Sequence, residues 1–181
     1  KITIEYDGSG YAGWQRQDNV PSIQQAIEEA LHKFCQQDIT VQGAGRTDSG
    51  VHARGQIAHF DLDYRDENGN QRNLTGFDLA KAINAHLRPQ PIAITKAEIV
   101  GDDFHARFTA KNKLYTYRII NRSAPPVLEE NRAWYFKRDL DIKAMQDAAP
   151  ILLGHHDFTT FRDSQCQAKN PERTLDRIEV E

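Results

Sequence analysis

The order of local patterns over residues 2–100 restricts the fold more than any other feature of this 181-residue sequence. Ile2 to Tyr6 alternates apolar and polar side chains, which is typical of a half-buried strand. Ser22, with Gln25 three positions on, predicts the start of a helix. Two strands are predicted at 39–42 and 56–60. A second helix is predicted at 76–88, ending before Pro89, and a final strand at 91–100. The order predicts a ferredoxin-like or RRM-like α+β unit, with a largely antiparallel sheet flanked by helices.

A glycine-rich loop is predicted between the second and third strands, within the sequence GAGRTDSGVHARGQIAHF at residues 43–60. Its glycines allow sharp turns and close approach of a ligand to the main chain. The loop carries one carboxylate, Asp48, with Arg46 two residues before it and His52 four residues after it. Tight loops between strands often present reactive groups, but an Asp among glycines is more often a turn former. The pattern by itself leaves both roles open.

The charge distribution restricts the class of partner. The formal net charge of −3 excludes the global basic field that non-specific nucleic-acid binders carry. Residues 104–128 nevertheless contain no Asp or Glu, and their basic residues are Arg107, Lys111, Lys113, Arg118 and Arg122. A solvated strand face is the ordinary explanation for such a run. The absence of acidic residues over this length favours an anionic partner.

The sequence shows no pattern for a membrane span, a metal site or a nucleotide cofactor. No apolar run is long enough to cross a bilayer, and there is no signal-peptide pattern. Cys35 and Cys166 have no metal-ligand spacing, so we expect free thiols in a reducing compartment and a cytoplasmic location. The seven histidines lack carboxylate or cysteine partners at metal-site spacing, and no P-loop, GxGxxG or HExxH motif occurs. We therefore predict neither a metal nor a cofactor.

A domain boundary is predicted at Gly101-Asp102-Asp103, which divides the chain into lobes of residues 1–100 and 101–181. In the second lobe we predict a strand over 113–120, with Tyr115 and Tyr117 on one face. Short strands at 133–137 and from 173 flank a third helix, which is predicted to begin at Ile142 and to end at 154–156 with two histidines. The chain begins without Met and stops within a strand pattern, so we expect further residues at both ends.

Six segments resemble the tRNA pseudouridine synthase A family. The most specific is GRTDSGVHA at residues 45–53, where the family usually has Ala at the position of Ser49. The others are YDGSGYAGWQRQ at 6–17, FHARF at 104–108, KLYTYR at 113–118, FTTFR at 158–162 and QCQ at 165–167. The resemblance therefore extends over nearly the whole chain and does not depend on one motif.

The resemblance implies a pseudouridine synthase fold of two RRM-like or ferredoxin-like lobes, with the second lobe incomplete in this chain because the family's last third is missing. It implies that Asp48 is the catalytic residue and that Tyr115 contacts the target base. It also implies that the substrate is tRNA, at uridines 38 to 40 of the anticodon stem-loop, and that the enzyme is a homodimer whose subunits share one tRNA. The isomerisation requires no cofactor.

In that reaction we expect Asp48 to be ionised inside a pocket, acting either as a nucleophile at C1′ or as a base on the sugar. Arg46 is expected to keep that carboxylate ionised or to bind a phosphate, and Arg107 to hold the RNA backbone. Tyr115 would stack on or orient a flipped uracil. Two alternatives remain open: a non-catalytic RRM-like RNA-binding module, and a hydrolase that uses Asp48 with His52.

Overall fold

The computed structural model describes residues 1–65, 68–162 and 170–181, and it contains two compact units. The first unit comprises Lys1–Tyr117 together with Glu129–Arg132, and the second comprises Arg118–Leu128 with Ala133–Glu181. The predicted lobe boundary at 101–103 thus lies inside the first unit. No helix in these three described ranges is long and apolar enough to cross a membrane.

The first unit has a four-stranded antiparallel sheet covered by two helices. Its strands are β1 (Ile2–Tyr6), β2 (Gln42–Gly43), β3 (Ala53–His59) and β4 (Ile92–Ala97). They lie in the order β2-β3-β1-β4, so β1 is central and pairs with both β3 and β4. This order is that of a ferredoxin-like unit, and the predicted α+β class is confirmed.

Two amphipathic helices cover one face of this sheet. Helix α1 (Ile23–Cys35) begins after Ser22, whose hydroxyl accepts a hydrogen bond from the N–H of Gln25, as predicted. Helix α2 (Gly76–Leu87) begins after Thr75, whose side chain accepts from the N–H of Asp78. Both helices end before residue 89, and their apolar faces meet the sheet in a single core.

The core follows from the alternation in β1. Ile2, Ile4 and Tyr6 are buried, while Thr3 and Glu5 on the other face are half-buried and exposed. The apolar face packs on α1 and α2, where Ile27, Leu31, Ile83 and Leu87 are at most 1 % exposed. Burial of each such side chain stabilises the fold by about 2 kcal/mol. The first unit thus provides a rigid support for the loops at the end of β1.

Two predictions about single strands need correction. The strand predicted at 39–42 consists only of Gln42–Gly43, which pair with His59 and Ala58 of β3. The strand predicted over 113–120 is reduced to β5 (Ile119–Asn121). A strand requires a neighbour for its backbone hydrogen bonds, and β5 pairs in parallel over only three residues with β6 (Trp134–Phe136). The alternation around Tyr115 therefore does not form a strand here.

The rest of the second unit contains short elements. Helix α3 (Ile142–Ala148) is followed by a 3₁₀-helix (Ala149–Leu152), because Pro150 has no N–H with which to continue the α-helical hydrogen bonding. Strand β7 (Gly154–Asp157) then pairs antiparallel with β8 (Glu172–Leu175). The two histidines at 155 and 156 lie in this strand, so their predicted position at the end of the third helix is wrong.

Candidate active site

Asp48 lies on the loop that joins β2 to β3, at one end of the sheet of the first unit. The base of the loop is closed by two hydrogen bonds. The N–H of Ala44 donates to the carbonyl of Ile57 at 2.7 Å, and the side-chain amide of Gln56 donates to the carbonyl of Gly45 at 2.8 Å. The loop therefore leaves β2 in a fixed direction before it reaches Asp48.

Thr47, the residue before Asp48, is hydrogen-bonded to two buried aromatic residues, Tyr6 and Trp14. The N–H of Trp14 donates to the carbonyl of Thr47 at 2.9 Å, and a hydrogen bond of 2.9 Å joins the Thr47 hydroxyl to the Tyr6 hydroxyl. Tyr6 and Trp14 are each only 3 % exposed. Burial raises the pKa of Tyr6, so its hydroxyl remains protonated at neutral pH and available for this bond.

Two glycines in the 6–17 segment allow it to touch the Asp48 loop. A Cβ on Gly13, whose φ is +110°, would lie 2.4 Å from the carbonyl oxygen of Thr47. A Cβ on Gly8 would lie 2.1 Å from the carbonyl oxygen of Val51. Any larger residue would push the two loops apart. Two of the segments that resemble the family, 6–17 and 45–53, are thus packed backbone to backbone.

The chain turns immediately after Asp48. The N–H of Val51 donates to the carbonyl of Asp48 at 3.2 Å, and the carbonyl of Tyr11 accepts from the Gly50 N–H and the Ser49 hydroxyl. The backbone of Asp48 is therefore fixed on both sides, while its side chain is exposed. Our expectation that the carboxylate is enclosed in a pocket is wrong for this chain, because the turn presents the side chain to solvent.

Arg46 and His52, the two residues considered as partners of Asp48, are placed differently in the structure. Arg46 is exposed like Asp48, and the described residues contain no ion pair between the two. His52 directs both ring nitrogens elsewhere: Nδ1 lies 3.2 Å from the N–H nitrogen of Gly8, and Nε2 lies 2.7 Å from the carbonyl oxygen of Asn131. No contact among the described residues joins His52 to Asp48, which removes the geometric support for the hydrolase alternative.

Lys113, from the basic segment at 104–128, contacts the Asp48 loop. A Cβ on Gly45 would lie 2.9 Å from Nζ of Lys113, so this ammonium group lies directly over the loop backbone. Two residues further on, Tyr115 is 68 % exposed. Arg107 is also exposed, and its N–H donates to Nδ1 of His105 at 3.2 Å. Lys113 was singled out only as part of the basic run, and nothing local in the sequence predicts its contact with Gly45.

Within the described ranges, no group of three or more His, Cys, Asp or Glu side chains is arranged to hold a metal ion. Cys35 is a free thiol, whereas Cys166 and the QCQ segment lie outside the described residues. The chemistry available at the loop is thus that of one exposed carboxylate with nearby cationic and aromatic side chains.

Comparison with known proteins supports the resemblance seen in the motifs. The family model described as tRNA pseudouridine synthase matches residues 2–109 and 148–181, a span that includes the Asp48 loop. The chain is 51 % identical over 180 residues to a tRNA pseudouridine synthase A of Rhodospirillum rubrum, covering 99 % of this chain and 62 % of the relative. It is 54 % identical over 180 residues to the enzyme of the same name from Rhodopseudomonas palustris, covering 70 % of it.

The chain thus spans about two thirds of the length of these curated relatives. The family model covers both the N-terminal sheet and the β7–β8 segment, and the identity to the relatives extends over nearly all of the chain. The resemblance inferred from the sequence motifs is confirmed. The chain belongs to the tRNA pseudouridine synthase family.

Proposed function

We propose that the protein converts uridine to pseudouridine in tRNA, with Asp48 as the catalytic carboxylate. One observation supports this most strongly: backbone hydrogen bonds anchor the loop on either side of Asp48, while the Asp48 side chain itself is exposed to solvent. A turn-forming Asp would instead bond its own loop through the carboxylate. The names of the relatives supply the substrate class, tRNA, and the reaction.

The reaction is an isomerisation within one nucleotide. The N1–C1′ glycosidic bond breaks, the uracil turns, and a C5–C1′ bond forms; C5 then loses a proton and N1 gains one. Atoms and electrons balance without a redox partner, so the proposal needs no cofactor. An ionised Asp48 would act on the sugar either as a nucleophile at C1′ or as a base.

The finer assignments are part of the same proposal. We assign the target to uridines 38, 39 or 40 of the anticodon stem-loop, and the working form to a cytoplasmic homodimer. Arg46 would bind a phosphate or the carboxylate, Arg107 would contact the RNA backbone, and Tyr115 would meet the flipped base. The high exposure of Tyr115 supports its availability for stacking.

Asp48→Asn tests the catalytic assignment. The substitution keeps the size of the side chain and removes the charge, so we expect a folded protein that binds an unmodified anticodon stem-loop normally and forms no detectable pseudouridine. Loss of an essential group costs several orders of magnitude in rate, or about 4 kcal/mol and more. The assay follows product, RNA affinity and melting temperature in the full-length protein. Near-normal product would remove Asp48 from the mechanism and favour the RNA-binding module.

Tyr115→Ala and Tyr115→Phe test the contact with the base. If the ring positions the uracil, Tyr115→Ala loses most of the activity while RNA affinity falls much less, because backbone contacts provide most of the affinity. Tyr115→Phe isolates the hydroxyl. A lower melting temperature with full activity in the folded fraction would contradict the assignment.

A further inference from the structure

The carboxylate of Asp7 connects three parts of the first unit that are distant in sequence. Its Oδ1 accepts a hydrogen bond from the N–H of Ser9 at 3.0 Å and lies 3.2 Å from Nδ1 of His52. Its Oδ2 accepts from Nη2 of Arg132 at 2.8 Å. The bonds from Ser9, followed by those from Arg132 and the nearby His52, hold the pKa of Asp7 well below its usual range. The group is therefore ionised at neutral pH.

Arg132 belongs to a short segment, Glu129–Arg132, that is grouped with the first unit although it lies more than a hundred residues after β1. The segment forms a turn in which the N–H of Arg132 donates to the carbonyl of Glu129 at 3.0 Å. Asn131 adopts the left-handed conformation, with φ of 62°. This conformation is one that asparagine tolerates, and it accompanies the contact of the Asn131 carbonyl with His52.

His52 links this segment to the Asp48 loop. Its Nε2 lies 2.7 Å from the carbonyl oxygen of Asn131, and its Nδ1 lies 3.2 Å from the backbone nitrogen of Gly8. His52 is the last residue of the loop before β3. The loop is thus anchored before Asp48 through Thr47 and after Asp48 through His52.

We propose that Asp7, His52 and Arg132 form a clasp that positions the Asp48 loop for the reaction, an inference that rests on the proposed function. The Asp7 carboxylate contacts both His52 and Arg132, and His52 also contacts the backbones of Gly8 and Asn131. Among the described residues, no contact joins these three side chains to the carboxylate of Asp48. They are therefore positioning residues. Displacement of a catalytic group by about 1 Å can reduce a rate about 100-fold.

An alternative role for Arg132 is direct contact with an RNA phosphate, since its side chain is 58 % exposed. The two roles predict different kinetic changes. Loss of a phosphate contact weakens RNA binding and leaves the bound reaction unchanged, whereas loss of a positioning contact slows the bound reaction and leaves affinity unchanged. The hydrogen exchange of the loop amides separates them further.

The experiment compares Arg132→Ala, Asp7→Asn and the double variant in the full-length protein. We expect each single variant to slow single-turnover pseudouridine formation about 10- to 100-fold, with RNA affinity within about twofold of the wild type. We expect faster amide exchange over residues 46–52. The double variant should be no slower than the slower single variant, because the same ion pair is broken once. Arg132→Lys should recover part of the rate.

A matched control is the exposed ion pair between Asp63 and Arg65, whose Oδ2 and Nε atoms are 2.9 Å apart. Asp63→Asn and Arg65→Ala should change neither the rate nor the exchange of residues 46–52. Unchanged loop exchange in Arg132→Ala, or an unchanged single-turnover rate, overturns the clasp. Weaker RNA binding with a normal bound rate overturns it in favour of a phosphate contact.

The same assay distinguishes failure of this inference from failure of the proposed function. If wild-type protein forms pseudouridine, Asp48→Asn does not, and the clasp variants react normally, the function stands and the clasp is wrong. If the wild type forms none, the proposed function fails, and the catalytic role of the clasp fails with it. The exchange of residues 46–52 still decides whether these three side chains hold the loop.

Discussion

The two compact units differ in how far their apolar side chains are buried. In the first, fifteen hydrophobic residues form one buried cluster between the sheet and the helices α1 and α2. In the second, Ala149 is the buried hydrophobic residue among those described, while Leu128, Val127, Ile151 and Phe161 are 74–90 % exposed. A loop supported by the first unit can hold a side chain in place, because its anchors are attached to a packed core.

The same difference explains which predicted elements formed at their predicted length. Helix α1 and strand β1 each carry an apolar face that meets a partner, so their local pattern and their tertiary contacts agree. The pattern at 113–120 alternates equally well, but only Ile119–Asn121 pair with a neighbouring strand. Alternation indicates that a segment is able to form a strand, whereas the extent of the strand depends on its partner.

The largest contrast is expected from matched leucine truncations in the two units of the 181-residue chain. Leu31→Ala leaves a cavity in the core of the first unit and should lower the free energy of unfolding by about 3 kcal/mol. Leu128→Ala removes a side chain that is 90 % exposed and should change it by less than about 0.5 kcal/mol. Urea unfolding, monitored by hydrogen exchange in each unit, measures the free-energy change of both variants. Equal losses would contradict the comparison.

The candidate site was predicted from the sequence in part. The motif at 45–53 located the Asp48 loop, since glycine and Asp spacing is a local signal. The ion pair of Asp7 with Arg132 has no such signal, because the two residues are brought together only by tertiary folding. The contact of Lys113 with Gly45 is of the same kind. Pairings over long sequence separations depend on the packed unit, and a single sequence does not contain them.

A smaller effect is expected from two glycines in the loop that follows β1. Gly13→Ala places a methyl group 2.4 Å from the Thr47 carbonyl at a φ of +110°, so it should cost about 2 kcal/mol or more and displace the Asp48 loop. Gly10 has no heavy atom within 4 Å of an added Cβ, so Gly10→Ala is the matched control and should be nearly neutral. Thermal melting and the single-turnover rate measure the two consequences. Similar behaviour of the two variants would show that the loops are not tightly packed.

The smallest effect concerns acid and compares one carboxylate from each unit. The pKa of Asp157 in the second unit is lowered mainly by bonds from the hydroxyl and N–H of Thr159, two residues on. The pKa of Asp7 is lowered by similar local bonds from Ser9 and, in addition, by the distant Arg132 and His52. Local bonds of this kind also form in an unfolded chain, whereas distant ones form only on folding.

Asp7→Asn should therefore reduce stability by less than about 1 kcal/mol at neutral pH, because the ion pair is partly exposed. Since the pKa of Asp7 is lower in the folded state, the unfolded chain takes up the proton first as pH falls. The difference between wild type and Asp7→Asn should be constant above about pH 5, where the unfolded carboxyl is also ionised, and should shrink as pH falls through the folded pKa. Asp157→Asn should show little such dependence. Urea midpoints between pH 3 and about 7 measure both variants, and equal pH dependence would indicate that the contact of Asp7 with Arg132 adds nothing to its bonds with Ser9.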